Sequence, residues 1–593
     1  MQQRALPIRT IPLSAEVAHQ RPAQHAGGPD EPRTMRNTIP ALPPHAEPMF
    51  ARCARSLGAS LALALTLALG PSGCSTPAAT TGPARTATGA NLAAAPAIRP
   101  AETFDAVWTT VRDEHFDVTL NGVDWDAVRD ELRPRAERAS SAAELRAVLG
   151  DMLGRLGQSH FAIIPAEPAE RAEAAGTPAR VAATTDAEKT ADATAGAAPS
   201  APADAARAAD ATSSTPGIAG IDIALVEGEP TVLRVTPDLA GDRAGVLVGW
   251  RLVSVDGRRV DALLAPIRAE LEAEILAGDD DSPRARQLRG SLAFAGSEML
   301  SGMAGERLEA VFADASGGER RVAIELEPAP LGTTKFGNLP PFPVEVESRI
   351  VELSVEGAEP GAPKPIRIGV LSFNIWMIGA SDAIDRAVDS MRGCDGIVLD
   401  LRGNPGGVGA MSMGVAGHFL REPASLGSMF GRESVLEFRA SPRKVSAAGK
   451  RVRPYATRPL AILLDGRSAS TTEVFAAGLQ DIGRARVFGE TSAGMALPAQ
   501  AKELPNGDVL LHAVADFVTP KGARVEGRGV IPDEPVMQTR EALLAGQDLA
   551  FAAASEWIRT AALTARATRL EQSAPSLVPP GAMPSTMPFA MPN

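Results

Sequence analysis

The sequence predicts an α/β protein: a layered parallel core, a helical segment ahead of it, and a small strand-rich module inserted between the two. Three observations predict it. Between residues 366 and 489, short apolar runs are each followed by a turn rich in glycine or serine and then by helical spacing. Between residues 104 and 156, apolar side chains recur at helical intervals without strands. Residues 166–216 hold almost no large apolar side chain, and they divide the chain.

The chain has 593 residues and a net charge of −12. That length suits about three or four domains, and the acidic balance argues against nucleic acid as a partner. The three cysteines, Cys53, Cys74 and Cys394, make no disulfide framework or thiolate cluster. The seven histidines are scattered without ligand spacing, so no metal and no cofactor is expected.

Residues 1–48 are rich in Pro and Arg and read as a non-native or disordered leader. Residues 49–74 read as an export signal: Arg52 and Arg55 precede an apolar stretch from Leu57 to Leu69, too short to span a bilayer. Pro71-Ser72-Gly73-Cys74-Ser75 follows and resembles a bacterial lipoprotein signal, which implies lipidation of Cys74 and a membrane anchor. Pro71 departs from the usual aliphatic residue, and an ordinary cleaved signal with an incidental cysteine is the other reading. Residues 75–100 read as a low-complexity tether.

Residues 101–165 form the helical segment. Phe104, Val107, Trp108 and Val111 share one helical face, and Leu145, Val148, Leu149, Met152 and Leu153 another. Gly157 ends the last helix, and Gln158-Ser159-His160-Phe161 turns into a strand. A histidine in such a turn is either structural or chemical, and the local sequence does not decide.

Residues 166–216 cannot bury enough apolar surface to offset their ordering entropy and read as a disordered spacer. Residues 217–330 form the inserted module, with strands at Thr231–Val235 and Leu252–Val255 and a short helix at Ala240–Val246. This order resembles a PDZ domain of the bacterial protease type. The resemblance implies that Gly217, Ile218, Ala219, Gly220 and Ile221 offer backbone N–H groups to a peptide carboxylate, with the peptide adding as a strand. Asp261 to Met303 departs from that pattern as a long helical insertion, expected over the peptide groove.

Residues 331–540 form the core. Ile366–Phe373, Gly396–Leu401, Pro459–Leu464 and Arg486–Gly489 read as strands, and Ala380–Met391, Ala410–Phe419 and Thr471–Leu479 as helices. The glycines of Arg402-Gly403-Asn404-Pro405-Gly406-Gly407 let backbone approach a ligand closely. Ser470 starts a helix, where unpaired N–H groups could hold an oxyanion; the plain alternative is that Ser470 and Thr471 are helix caps. Residues 541–565 read as a closing helix and 566–593 as a disordered tail.

Four ordered motifs resemble one family: Asp400-Leu401-Arg402-Gly403-Asn404-Pro405-Gly406-Gly407, Ser468-Ala469-Ser470-Thr471-Thr472-Glu473, Gly489-Glu490-Thr491-Ser492-Ala493-Gly494 and Gly527-Arg528-Gly529-Val530-Ile531-Pro532-Asp533. They look like the tail-specific, or C-terminal processing, serine peptidases and the tricorn core. That resemblance implies a crotonase-like (ClpP/crotonase) fold, cleavage of protein or peptide substrates, Ser470 as nucleophile, and an oxyanion hole from Gly406 or Gly407 with Thr471. The processing peptidases place a general-base lysine where this chain has Met495, and a thioether cannot accept a proton at neutral pH. Lys502 and Lys521 lie off the motif. The tricorn likeness implies instead that His160 is the base, positioned by Ser159, with Glu526 orienting Ser159. A non-catalytic retinoid or lipid carrier on the same fold is the alternative, since interphotoreceptor retinoid-binding proteins resemble this core. An acyl-CoA enzyme is disfavoured by the export signal and the module.

Overall fold

The computed structural model describes residues 99–165, 215–277, 283–334, 341–355 and 364–573. The leader, Cys74, residues 75–98 of the tether and residues 166–214 of the spacer lie outside these, and Pro100, the last residue read as tether, already opens a helix. No helix of the described residues is long and apolar enough to cross a membrane.

The N-terminal segment folds as three helices, Pro100–Glu114, Trp125–Glu137 and Ala142–Gly154. Their apolar stripes meet: Phe104, Val107, Leu132, Leu145, Leu149 and Met152 are wholly buried together. Asp124 and Ser141 cap the second and third helices by accepting the Ala127 and Glu144 N–H groups, where unpaired donors need a partner. Gly157 takes φ 61°, a left-handed conformation that turns the chain out of the third helix.

That segment is then fastened to the far end of the chain. The strand Ala162–Ile164 pairs antiparallel with Val509–Ala513, Ala162 facing Leu511. Arg146 grips Asp508 through two hydrogen bonds of 2.8 and 2.7 Å, with both side chains buried.

The inserted module is an antiparallel sheet in the order Ile221–Val226, Glu229–Val235, Arg251–Val255, Arg307–Ala313, Glu319–Glu325, with Arg258–Arg259 off the path. The strand Pro216–Ile218 begins at the last residue assigned to the spacer and pairs with Gly302–Met303. The long insertion is two helices, Val260–Leu276 and Pro283–Glu298. The first buries Val260, Leu264 and Ile267 in the core of the module.

The central sheet has six strands in the order Val346–Leu353, Ile366–Phe373, Gly396–Asp400, Leu460–Leu464, Arg486–Gly489, Glu534–Pro535. The first pair is antiparallel and the rest are parallel. Helices Ser381–Met391 and Thr471–Asp481 cover one face through Ile384, Val388, Val474 and Phe475. Helix Leu549–Ser573 covers the other through Ala550, Ala554 and Ile558. A sheet buried on both faces needs strands apolar throughout, and all five residues of Leu460–Leu464 are buried.

The closing helix differs from the sequence reading. It runs from Leu549 to Ser573, and a short helix, Arg540–Leu544, precedes it. Residues 566–573 are therefore helix, not tail. The helix continues because Arg566 reaches Asp395 at 3.0 Å and the Pro365 carbonyl at 3.1 Å, a tertiary anchor that no apolar stripe announces. Helix Ala410–Ala416 stops short of Phe419 because the chain folds back at Gly417, whose N–H closes the last turn and whose carbonyl receives Arg443 N–H at 2.7 Å.

Candidate active site

Two adjacent parallel strands, Gly396–Asp400 and Leu460–Leu464, deliver the motif loops at their carboxyl ends, where open α/β sheets hold ligands. Ser470 follows the second strand and opens helix Thr471–Asp481. Its backbone sits at φ 55°, a region a non-glycine residue occupies at a cost of roughly 1–3 kcal/mol, and such residues cluster at functional sites. His160, from the N-terminal segment, takes φ 62°.

Glu473 holds the Ser470 turn. It is fully buried, and its carboxylate accepts the N–H groups of Ser470 and Met495, both at 2.9 Å, the N–H of Gly494 at 2.8 Å and the hydroxyl of Ser492. Burial pushes its carboxyl up to about 7, against the pull of those donors. The sequence reading quoted Glu473 within the motif and gave it no role. The Ser-x-x-Glu spacing of a capping box was the signal available.

Facing Ser470, Gly406 and Gly407 stand at φ 105° and 142°. A Cβ on Gly406 would fall 2.7 Å from Ser470 Cβ, and one on Gly407 would collide with the Trp376 carbonyl. Thr471 Oγ1 donates to the Gly407 carbonyl at 2.7 Å, and Trp376 N–H to that of Gly406 at 2.9 Å. The Gly406 N–H is taken by Asn404 Oδ1 at 3.0 Å. The N–H groups of Gly407 and Thr471 carry no hydrogen bond among the described residues and are free for a ligand. Asn404 is itself fixed by Phe373 and Thr472, and Thr472 by the Trp376 indole at 2.8 Å.

The structure brings Ser159, His160 and Glu526 together across 367 positions of chain. Glu526 accepts the Ser159 N–H at 3.0 Å, the Ser159 hydroxyl at 2.9 Å and the Ala496 N–H at 2.8 Å. Ser159 Oγ lies 2.7 Å from His160 Nδ1. The hydroxyl proton is committed to Glu526, so Oγ accepts from Nδ1–H, which leaves the Nε2 lone pair open. Burial lowers the imidazole to about 3, and it is neutral at physiological pH. Burial also raises Glu526, but three donors converge on its oxygens, the arrangement that suits a carboxylate.

The two halves meet at consecutive residues. Ser470 N–H donates to the Met495 carbonyl at 2.8 Å, while Ala496 N–H binds Glu526. Among the described residues no hydrogen bond joins Ser470 Oγ to His160 Nε2. Met495 is buried against Phe294 and Ala469. Lys502 pairs with Glu114 at 2.6 Å, half exposed, and Lys521 lies 4.0 Å from Asp481 with its side chain 70% exposed; both stand outside the site. Arg402 clamps Asp400 and Asp548 and organises its turn. Gly217 to Ile221 line a cavity of about 560 Å³ between the module and the sheet, together with Arg234 and Arg402. Among the described residues no cluster of His, Cys, Asp or Glu stands at metal-binding distance.

Residues 367–536 match the model of peptidase family S41, and residues 96–154 that of the Tricorn protease C1 domain. The carboxyl-terminal-processing protease of a Picosynechococcus species is 31% identical over 174 residues, 29% of this chain and 40% of that protein. Its namesake from a Synechocystis species is 26% identical over 224 residues, 37% of this chain and 49% of that protein. The chain thus spans less than half the length of these relatives. The solved photosystem II D1 C-terminal processing protease aligns with 75% of this chain and 94% of its own, at 19% identity and a TM-score of 0.44. Residues 367–536 thus carry a peptidase family S41 domain, with a segment of the Tricorn protease C1 type ahead of it.

Proposed function

We propose that this chain is an exported serine endopeptidase that cleaves proteins or peptides through an acyl-enzyme. The observation that carries it is the relay from Glu526 through Ser159 to His160, which reaches the segment 495–496 from one side while Ser470 holds it from the other. His160 Nε2 takes the Ser470 proton as Oγ attacks the scissile carbonyl. The oxyanion settles on the open N–H groups of Gly407 and Thr471. His160 then protonates the leaving amine, and water releases the acyl group by the reverse path. Glu526 and Ser159 hold the imidazole in its productive tautomer. A ligand carrier would need neither the relay nor the two free donors.

On this reading the core is crotonase-like and the module is a PDZ-like recruiter of chain ends through Gly217–Ile221. The N–H groups of Ala219 and Gly220, which make no hydrogen bond among the described residues, support that role. The signal ending at Cys74 makes the protein a lipoprotein on the periplasmic side of a bacterial membrane. A fluorophosphonate probe is expected to label Ser470. Ser470→Ala and His160→Ala should each abolish labelling and the cleavage of an unfolded protein. Full cleavage by either variant would overturn the mechanism.

A further inference from the structure

A three-stranded sheet beside the central one ends on a free edge. Its strands run in the order Val435–Ala440, Ala424–Gly431, Ala515–Val518, so Val435–Ala440 is an outer strand. Among the described residues its backbone meets no partner beyond Ala424–Gly431. Gly431 N–H donates to the Ser434 carbonyl at 2.9 Å, so Ser434 faces inward. Alternation then points the N–H and C=O groups of Val435, Glu437 and Arg439 outward. The bulge between Ser425 and Ser428 lies in the inner strand and leaves that alternation intact.

Open edges are normally guarded, because an unpaired ladder recruits another strand. Two other outer strands are. In Val346–Leu353, Glu347 meets Arg234 and Arg349 lies over Phe551. Strand Glu319–Glu325 displays Glu319, Arg320, Arg321 and Glu325 and no exposed large apolar side chain. The hairpin differs: Val435 is 64% exposed, Leu436 49% and Phe430, directly across from Val435, 43%. Arg432 fixes its tip, donating to the carbonyls of Arg112, Asp113 and His115 at 3.0, 2.8 and 3.0 Å. The edge is therefore ordered before anything binds it.

We propose that this edge joins two copies of the chain, each Val435–Ala440 strand adding antiparallel to the other about a two-fold axis at Phe438. The charges select this occupant. Glu437 and Arg439 are exposed, share one face of the strand on either side of Phe438, and form an ion pair of 3.7 Å on their own strand. Turned about that axis, each Glu437 comes opposite Arg439 of the second copy, so the attraction is made twice across the interface. The same register sets the outward N–H and C=O groups of Glu437 against those of Arg439, as an antiparallel ladder requires. It also lays Leu436 opposite Ala440 of the second copy. An axis at Glu437 or at Arg439 would instead put like charges face to face, which disfavours the neighbouring registers.

Sedimentation velocity of the full chain across the micromolar range tests this, whether or not Ser470 is a nucleophile. The wild type should run as a dimer. Glu437→Arg and Arg439→Glu each set like charges opposite one another and should weaken the dimer by about tenfold or more. The double variant Glu437→Arg/Arg439→Glu exchanges the charges and should restore it. A wild type that stays monomeric at every concentration would overturn the proposal, and so would a dimer indifferent to the single reversals or not recovered by the exchange. A second measurement needs no variant: hydrogen exchange at the amides of Glu437 and Arg439 should slow as the wild-type concentration rises, and equal rates would overturn the shared edge.

Discussion

Burying His160 as a neutral ring ties the protein's stability to pH. The imidazole titrates near 6.5 when unfolded and near 3 when folded. Between those values the unfolded chain binds the extra proton, so stability falls as pH drops from about 6.5 toward 3. Glu473 acts with the opposite sign: raised from 4.5 to about 7, it favours the folded state below that window and weakens it as pH rises through it. In His160→Gln the loss of melting temperature between pH 7 and pH 4.5 should shrink relative to wild type, because one acid-sensitive group is gone; an unchanged loss would refute the assignment. Met495 sets a second residue-scale test. Met495→Lys would bury an ammonium against Phe294 and Ala469, and it should lower stability by several kcal/mol in denaturant titration rather than create a working base.

At the scale of elements, the N-terminal helices matter because they lead into Ser159 and His160, the proposed relay, and Arg146 fastens them to Asp508. Arg146→Ala removes the cation from a fully buried Asp508 and should cost about 3–5 kcal/mol. It should also reduce labelling of Ser470, since the Ala162–Ile164 strand that follows His160 loses its brace; hydrogen exchange across residues 142–164 would report the loosening. The strands and helices that carry the motif loops were legible from sequence, whereas Val346–Leu353 and the strands Ala424–Gly431, Val435–Ala440, Ala499–Glu503, Val509–Ala513 and Ala515–Val518 were not read. Ile366–Phe373 and Arg486–Gly489 were read to the residue, because strands with most residues buried are short, mainly apolar and bounded by turns. The pairing of Ala162–Ile164 with Val509–Ala513 was not legible, because nothing local marks a partner so distant. The two faces of helix Pro283–Glu298 were equally hidden. Its apolar residues signal burial without naming which surfaces they cover, and the expected cover over the groove said nothing of the Ser470 turn.

At the scale of the molecule, the central sheet is finished by the last helix. A chain ending at residue 548 would expose Ile366, Ile368, Val398 and Phe488 along one face, and it should be insoluble or unfolded when expressed. The candidate site shows the same division between near and far. Its turns and glycines could be found by reading along the chain, whereas Glu473's grip on Ser470, Ser492, Gly494 and Met495 exists only once separate loops are brought together.

The 367 positions between Ser159 and the carboxylate that orients it have a consequence for how the protein is made. A ribosome emits the imidazole long before Glu526, and contacts between such remote partners form slowly. A nascent chain stalled before Glu526 emerges therefore holds Ser159 and His160 without their carboxylate, and the proposed relay can assemble only afterwards.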